Sequence, residues 1–143
     1  MDSAKRVISG TWGEVWLDNN YVSECSALQA KSTFNKEEIQ QCGKMAVDSK
    51  VTSTKNTGSL TLFKVNSRMA IAIGEAIRDG RDIRFTIISK LADPDAYGAE
   101  RVVLKNVSFD DLTLADWETG KTGTVTVPFT FTEWEFLDVI ARV

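Results

Sequence analysis

The sequence predicts a mainly β fold with one α-helix, a sandwich or barrel formed as a single domain over residues 1–143. Three observations lead to this prediction: apolar and polar residues alternate along several segments, only one segment has helical spacing, and the composition is uniform along the chain. A chain of 143 residues is close to the usual size of one domain. It can therefore form a hydrophobic core without disulfides or metals.

The strand predictions follow from residue alternation. The segments Leu28 to Phe34 and Ile83 to Ile87 each alternate in a way that predicts a strand with one face on a core. The clearest segment is Thr124 to Thr132, where valines and phenylalanines share one face and threonines the other. Pro128 lies on the threonine face and has no N–H to donate, which predicts an edge or a bulge there. Four segments are rich in β-forming residues but less regular: Val7 to Leu17, Leu60 to Val65, Arg101 to Phe109 and Leu112 to Trp117.

Only the segment from Arg68 to Asp79 predicts a helix. Met69, Ile73 and Ile77 recur at helical spacing and are predicted to form the face that packs on the sheet. Ser67 is the expected N-cap, and Gly80 is placed to end the helix in a left-handed conformation.

The segment at about 36–57 fits neither pattern. It is polar and charged, and a connection of this length is usually functional or disordered. Two interpretations stay open: a mobile loop, or a protruding arm that becomes ordered against another subunit. Ile39, Met45 and Val47 are the apolar residues with which such an arm would dock.

Composition and charge exclude several classes of function. The net charge is −3, without the basic excess of a DNA-binding protein, and there is no histidine for a nucleophilic triad or a metal site. Cys25 and Cys42 have no metal-ligand spacing and are predicted to be free thiols. No cofactor is expected. The sequence has no secretory signal and no apolar run long enough for a membrane anchor, which predicts assembly in the cytoplasm.

Carboxylates are the groups left for catalysis. They occur in pairs that are more typical of turns and strand ends than of a catalytic cleft: Glu37/Glu38, Asp93/Asp95, Asp110/Asp111 and Glu133/Glu135. Four tryptophans favour packing or interfaces over a stacking platform. These residues indicate an assembly protein, not an enzyme. A small-ligand-binding β-barrel and a carboxylate-based hydrolase remain as alternatives.

Several stretches together resemble one known family. They are ISGTWGEVWLD from Ile8, GSLTLFKV from Gly58 followed by Ser67-Arg68, YGAERV from Tyr97, FDDLTLADWE from Phe109, and VPFTF from Val127. Their order along the chain is similar to that in XkdM-like tail tube proteins of contractile phage tails, PBSX-like elements and R-type bacteriocins of the diffocin kind.

This resemblance implies a tail-tube fold that oligomerises through its sheet edges. Its implied partners are further copies of itself in hexameric, stacked rings, the tail sheath protein, and the baseplate and tape-measure proteins. The lumen would pass DNA without binding it specifically in a phage, or open a channel through the envelope in a bacteriocin. Glu118, Thr124 and Thr126 are the expected lumen residues. The expected location is a virion or bacteriocin tail, assembled in the bacterial host cytoplasm.

Overall fold

The computed structural model describes residues 3–140, and its architecture confirms the mainly β class with one helix. After short 3-10 turns at Ala4–Arg6 and Gly10–Trp12, the elements are β1 Gly13–Leu17, β2 Asn20–Tyr21, β3 Cys25–Ile39, β4 Asp48–Phe63, α1 Arg68–Arg78, β5 Phe85–Leu91, β6 Glu100–Phe109, β7 Thr124–Phe131 and β8 Glu133–Asp138. No helix in the part of the chain described is long and apolar enough to cross a membrane.

The eight strands form an antiparallel sheet in the order β2-β1-β5-β6-β7-β4-β3, with β8 added to β6. The sheet folds over at β6, which belongs to both halves: Glu100 to Val107 pair with β5, whereas Ser108 and Phe109 pair with β7. The register shifts just before this change, and Asn106 there has a φ of 58°. Such a bulge bends and twists a strand, which lets the two halves face each other across one core.

A second bend lies at Thr132, where the chain leaves β7 in one half and enters β8 in the other. Asn56 Nδ2 donates to the Thr132 carbonyl oxygen at 3.3 Å, and Asn106 Nδ2 donates to Thr132 Oγ1 at 3.1 Å. The Thr132 N–H donates to the Lys105 carbonyl at 3.3 Å. These bonds satisfy polar groups at the point where the sheet ladder breaks.

The core lies between the two halves. Val127, Phe129 and Phe131 of β7 are buried on one face, and Phe85 and Ile87 of β5 contribute from the other half, as their alternation predicts. Pro128 lies in an inner strand, but its carbonyl accepts from the Asp110 N–H at the point where β6 ends. The N and C=O groups of one strand residue point to the same side of the strand. The N–H that Pro128 lacks would therefore face β6 just beyond its last paired residue, where no strand partner needs it.

Helix α1 covers one end of this core and corrects two predictions. Met69 and Ile73 are buried, but the third buried position is Ala76, and Ile77 is 59% exposed. The buried stripe follows i, i+4 and i+7, and Ile77 is one residue, or about 100°, beyond it. Ser67 makes no side-chain cap; instead Asn66 Oδ1 accepts from the Arg68 N–H at 3.0 Å.

The largest differences from the predicted elements are in β3 and β4. Both strands run beyond the core as a long hairpin, so Leu28 packs against the core whereas Phe34 is 55% exposed. Much of segment 36–57 is therefore paired strand and not an irregular connection. Alternation of apolar and polar residues is expected only where one face of a strand is buried. The outer parts of β3 and β4 have no buried face, and they form because their backbone groups hydrogen-bond to each other.

Two smaller corrections concern the C-terminal part of the chain. The stretch 112–117 is not a strand, although its composition favours one. Strand β8 was not predicted, although Trp134 and Phe136 alternate with Glu133 and Glu135.

Candidate assembly surfaces

Two of the acid pairs contain residues with structural contacts. Asp93 is buried, and its carboxylate is satisfied by the Ser9 N–H at 2.8 Å and the Asp95 N–H at 2.9 Å, which fix a turn. Glu135 instead lies 3.6 Å from Lys105 Nζ on an exposed strand. Among residues 3–140, no group of three or more Asp, Glu, Cys or His side chains is placed to hold a metal ion.

The interior offers little room for a ligand. The centre of the sandwich is filled by large side chains that are almost fully buried, namely Phe129, Leu60, Ile87, Val22, Val107 and Val127. The sizeable clefts lie between strands at the surface. This geometry gives no support to the small-ligand-binding β-barrel, whose ligand would need an enclosed apolar cavity.

The first candidate surface is the free edge of β3. In the sheet order β3 is the last strand, so one side of its 15 residues pairs with β4 and the other side pairs with no described strand. The strands β3, β4 and β7 lie side by side in that order. On the side of β7 that faces away from β4, β6 pairs with β7 only at Thr130 and Phe129. The β7 edge from Thr124 to Val127 is therefore also open. Open strand edges pair readily with another chain.

The second surface is the distal hairpin, which we define as residues 35–53. Its bend is a register shift at Asn35, where Asn35 Nδ2 donates to Ser53 Oγ at 3.0 Å and Thr52 Oγ1 donates to the Asn35 carbonyl at 3.2 Å. Ile39, Met45 and Val47, the predicted docking residues, lie at or near its tip and are 41%, 99% and 50% exposed. Met45 is thus almost fully in solvent, and Ile39 and Val47 keep about half of their surface accessible.

The third surface is the threonine face, which we define as Thr61, Thr124 and Thr126 on the outward side of β4 and β7. Thr124 and Thr126, two of the predicted lumen residues, lie there, and Thr126 Oγ1 is 3.4 Å from Thr61 Oγ1 of β4. Glu118, the third, lies outside this sheet in the segment between β6 and β7. It forms an ion pair with Lys121 at 3.2 Å.

The two thiols have different environments. Both are free, as predicted, with Cys42 exposed near the hairpin tip and Cys25 half-buried at the start of β3. Burial raises the pKa of the Cys25 thiol, and the neighbouring Glu24 carboxylate raises that pKa further. A hydrogen bond with the Ala27 backbone acts in the opposite direction and lowers the pKa.

Sequence patterns did not identify the exposed apolar side chains of Leu114 and Trp117. They are 80% and 82% exposed in the segment between β6 and β7. The composition of residues 112–117 predicts a strand, in which one face would be buried. The stretch is not a strand in the structure, and both side chains are therefore in solvent.

A filled β-sandwich with open strand edges and apolar side chains in solvent defines a structural assembly subunit. The chain belongs to the phage tail tube protein family, whose model matches residues 2–138. It is 30% identical over 134 residues to the phage-like element PBSX protein XkdM of Bacillus subtilis (strain 168), covering 92% of this chain and 91% of that protein. Its role is therefore that of a structural subunit of a tail tube.

Solved structures share the fold at low sequence identity. A chain of the sheath–tube complex of an extracellular contractile injection system, PVC, in its extended state aligns with a TM-score of 0.74 and 8% identity, covering 97% of this chain and 100% of that one. A chain of the anti-feeding prophage cap aligns with a TM-score of 0.75 and 11% identity, covering 97% and 96%. Strand order and packing are thus conserved where side chains differ.

Proposed function

We propose that this chain forms the inner tube of a contractile tail, in which six copies close a ring through their sheet edges and the rings stack into a hollow tube. The observation that carries the proposal is the pair of open edges on β3 and β7, in a chain of the tail tube family. Head-to-tail pairing of two different edges generates a closed ring when the rotation between copies closes.

The distal hairpin supports stacking of the rings. It extends beyond the core along the strand direction, so its tip can contact a copy displaced along the strands, not one beside it. Ile39, Met45 and Val47 would lose their exposed apolar area there, at about 25 cal/mol per Å². The charged residues that flank them would select the register of the contact.

We propose that the threonine face lines the lumen. Its hydroxyl groups at Thr61, Thr124 and Thr126 are polar and uncharged, and a wall without basic clusters does not retain a polyanion. Glu118 would add negative charge near a lumen opening. Such a lumen lets DNA pass without specific binding in a phage, and serves equally as an open channel in a bacteriocin.

The remaining partners follow from a place inside a contractile tail. The tube would contact a sheath protein on its outside, a baseplate at one end and a tape-measure protein within. The PVC structure that shares this fold is itself a sheath–tube complex, which supports the first contact. In this setting the subunit has no catalytic activity and is assembled in the bacterial host cytoplasm.

Negative-stain electron microscopy of the purified protein tests the proposal. We expect hollow tubes or stacked rings, and class averages down the axis with sixfold symmetry. A protein that stays monomeric over the accessible concentration range would contradict tube formation. Rings with a different symmetry would contradict the hexamer alone.

A further inference from the structure

The segment between β6 and β7 presents an apolar projection that the single chain does not use. Leu114 and Trp117 are 80% and 82% exposed, which makes them far more exposed than the other tryptophan and leucine side chains. Leu112, two residues before Leu114, packs against the core and fixes the base of the segment. An exposed pair of large apolar side chains on an anchored segment is typical of an interaction site. We call Leu114 and Trp117 the knob.

An apolar cleft of about 350 Å³ opens to solvent between β3 and β8. Its apolar walls come from both halves of the sandwich and include Leu28, Ala30, Leu104, Phe131, Trp134 and Phe136. Trp134 and Phe136 contact each other edge to face at 5.7 Å and are 49% and 47% exposed. Ligand sites in proteins have volumes of about 300–1,000 Å³, so this cleft is large enough to hold bulky apolar side chains of another molecule.

The knob's segment begins at one edge of the three strands β3, β4 and β7, and the cleft is bordered by the other edge. The knob's segment leaves β6 at Phe109 and begins beside the open edge of β7, where the Asp110 N–H bonds to the Pro128 carbonyl. The cleft is bordered by β3, the strand at the other edge. Joining the β7 edge of one copy to the β3 edge of the next therefore brings the knob of the first copy towards the cleft of the second.

Charge also favours this pairing. The knob's segment is acidic, with Asp110, Asp111, Asp116 and Glu118 against Lys121. One basic and one acidic residue, Lys31 of β3 and Glu100 of β6, line the cleft. Lys31 makes no ion pair among residues 3–140, and the same is true of Asp116 beside Trp117. An ion pair between Asp116 of one copy and Lys31 of the next would favour this contact, whereas two acidic knob segments would repel each other.

We propose that Leu114 and Trp117 of one copy insert into the cleft between β3 and β8 of the adjacent copy in the ring. The occupant is thus a second copy of this chain, in a heterologous contact that repeats around the ring. Trp117 is the anchor, because tryptophan in a desolvated pocket contributes more than most residues to an interface. The inference rests on the proposed ring, and it adds the side-chain contact that joins neighbours.

Photo-crosslinking tests the contact directly. The protein carries p-benzoylphenylalanine in place of Trp117, and crosslinked peptides are identified by mass spectrometry after assembly from isotope-labelled and unlabelled subunits. We expect mixed-isotope crosslinks to peptides that contain Leu28–Ser32 or Trp134–Phe136. Assembled tubes whose crosslinks fall elsewhere, or that give none between copies, would overturn the inference and leave the proposed tube intact. A wild-type protein that does not assemble would overturn both.

A second measurement does not depend on the unnatural residue. Trp117→Ala is expected to raise the concentration needed for assembly by about tenfold or more, whereas Ile71→Ala, a similarly apolar exposed residue on α1, should leave it unchanged. Subtracting the fluorescence of Trp117→Phe from that of wild type isolates the emission of Trp117. This emission should shift to shorter wavelength on assembly. If wild type, Trp117→Ala and Ile71→Ala assemble equally and the Trp117 emission does not shift, the contact is contradicted.

Discussion

At the residue scale, Gly58 is the position at which the fold least tolerates a side chain. It lies where β4 passes between β3 and β7, and a Cβ there would contact the Gln29 carbonyl oxygen and come within 2.6 Å of Phe129 Cζ. Phe129 is fully buried and cannot move aside. The requirement for glycine thus comes from close packing between strands and not from a turn.

Gly58→Ala is therefore expected to lower the free energy of unfolding by about 1–3 kcal/mol through overpacking. Urea denaturation followed by circular dichroism measures the change. Gly10→Ala is the matched control, because nothing lies within 4 Å of a Cβ added at Gly10. Equal midpoints for the two variants would show that the strands around Gly58 can separate without loss of stability.

The raised pKa of the Cys25 thiol predicts a loss of stability at alkaline pH. The folded protein holds this proton to a higher pH than the unfolded chain does, because burial disfavours the thiolate. The contribution is complete below the unfolded pKa and disappears as the pH rises through the folded one. Between about pH 8 and about pH 10, wild type should lose more stability than Cys25→Ala.

Cys42→Ala is the matched control for this measurement, because it removes a thiol that is exposed and lies outside the core. Thiol labelling gives an independent check: a disulfide reagent should modify Cys42 first and Cys25 slowly. A pH dependence that is identical in all three proteins would mean that ionisation of Cys25 does not affect folding.

At the scale of elements, α1 and the β3–β4 hairpin differ in what holds them. The helix is fixed by its apolar stripe and by Arg68, whose Nη1 is 3.5 Å from Glu24 Oε1 and donates to the Tyr21 carbonyl at 3.2 Å. The distal hairpin is fixed by its own backbone pairing and contributes no side chain to the core. Changes in α1 should therefore affect folding, and changes in the distal hairpin should affect assembly.

Two substitutions in α1 separate the buried stripe from its neighbour. Ile73→Asp places an unpaired carboxylate at a position that is 4% exposed and should cost about 4 kcal/mol or more, enough to prevent folding of a domain of ordinary stability. Ile77→Asp introduces the same group where the native side chain is 59% exposed and should change stability by about 0.5 kcal/mol or less. Soluble yield and thermal midpoint report both. A folded Ile73→Asp protein would contradict the assigned core face.

Shortening the hairpin tests its role as an arm. Asn35 and Ser53 are paired residues, so replacing residues 36–52 by an Asn-Gly turn closes the hairpin in register and removes Ile39, Met45 and Val47. We expect an unchanged fold, because the core uses none of the deleted side chains. Assembly should stop at monomers or single rings.

Sedimentation and electron microscopy distinguish these products of the shortened protein from tubes. A triple substitution of the same three apolar residues by serine keeps the hairpin length and serves as the matched variant. Hydrogen exchange adds a further check, since protection near the tip should increase on assembly. Full-length tubes of normal stability from the shortened protein would exclude the hairpin as a stacking contact.

At the scale of the whole molecule, the faces of the sheet and its unpaired strand edges divide the tasks of a tube subunit. The edges of β3 and β7 are open for pairing, and the threonine face presents uncharged hydroxyl groups. The filled core gives a rigid unit that need not change shape on assembly. In the proposed tube, DNA would meet only the threonine face.

A lysine on that face should convert a non-binding wall into a binding one. Thr126→Lys adds one positive charge per subunit, and six per ring in the proposed assembly. We expect assembled variant tubes to retain DNA at low salt and release it as salt rises. Ile71→Lys adds the same charge on the exposed side of α1 and should retain less. Filter retention of labelled DNA measures both, and equal retention would place Thr126 outside the lumen.

Local residue patterns determined the fold class and the core-forming strands. Alternation in β7 predicts which side of Val127, Phe129 and Phe131 is buried, because successive side chains of a strand point to opposite faces. Helical spacing placed α1 within one residue of its observed bounds. The tail-tube resemblance came from stretches spread along the chain, and the family match over residues 2–138 confirms it.

Only the tertiary structure decided which surfaces a second copy can reach. The distal hairpin has no buried face, so its strands leave no alternation in the sequence, and β8 is short and exposed. Ile77 is larger and more apolar than its neighbour Ala76, yet the direction in which α1 meets the sheet buries Ala76 and leaves Ile77 exposed. The open edges, the knob and the cleft depend on which strands stop short of their neighbours. That is a property of long-range pairing, which no local pattern records.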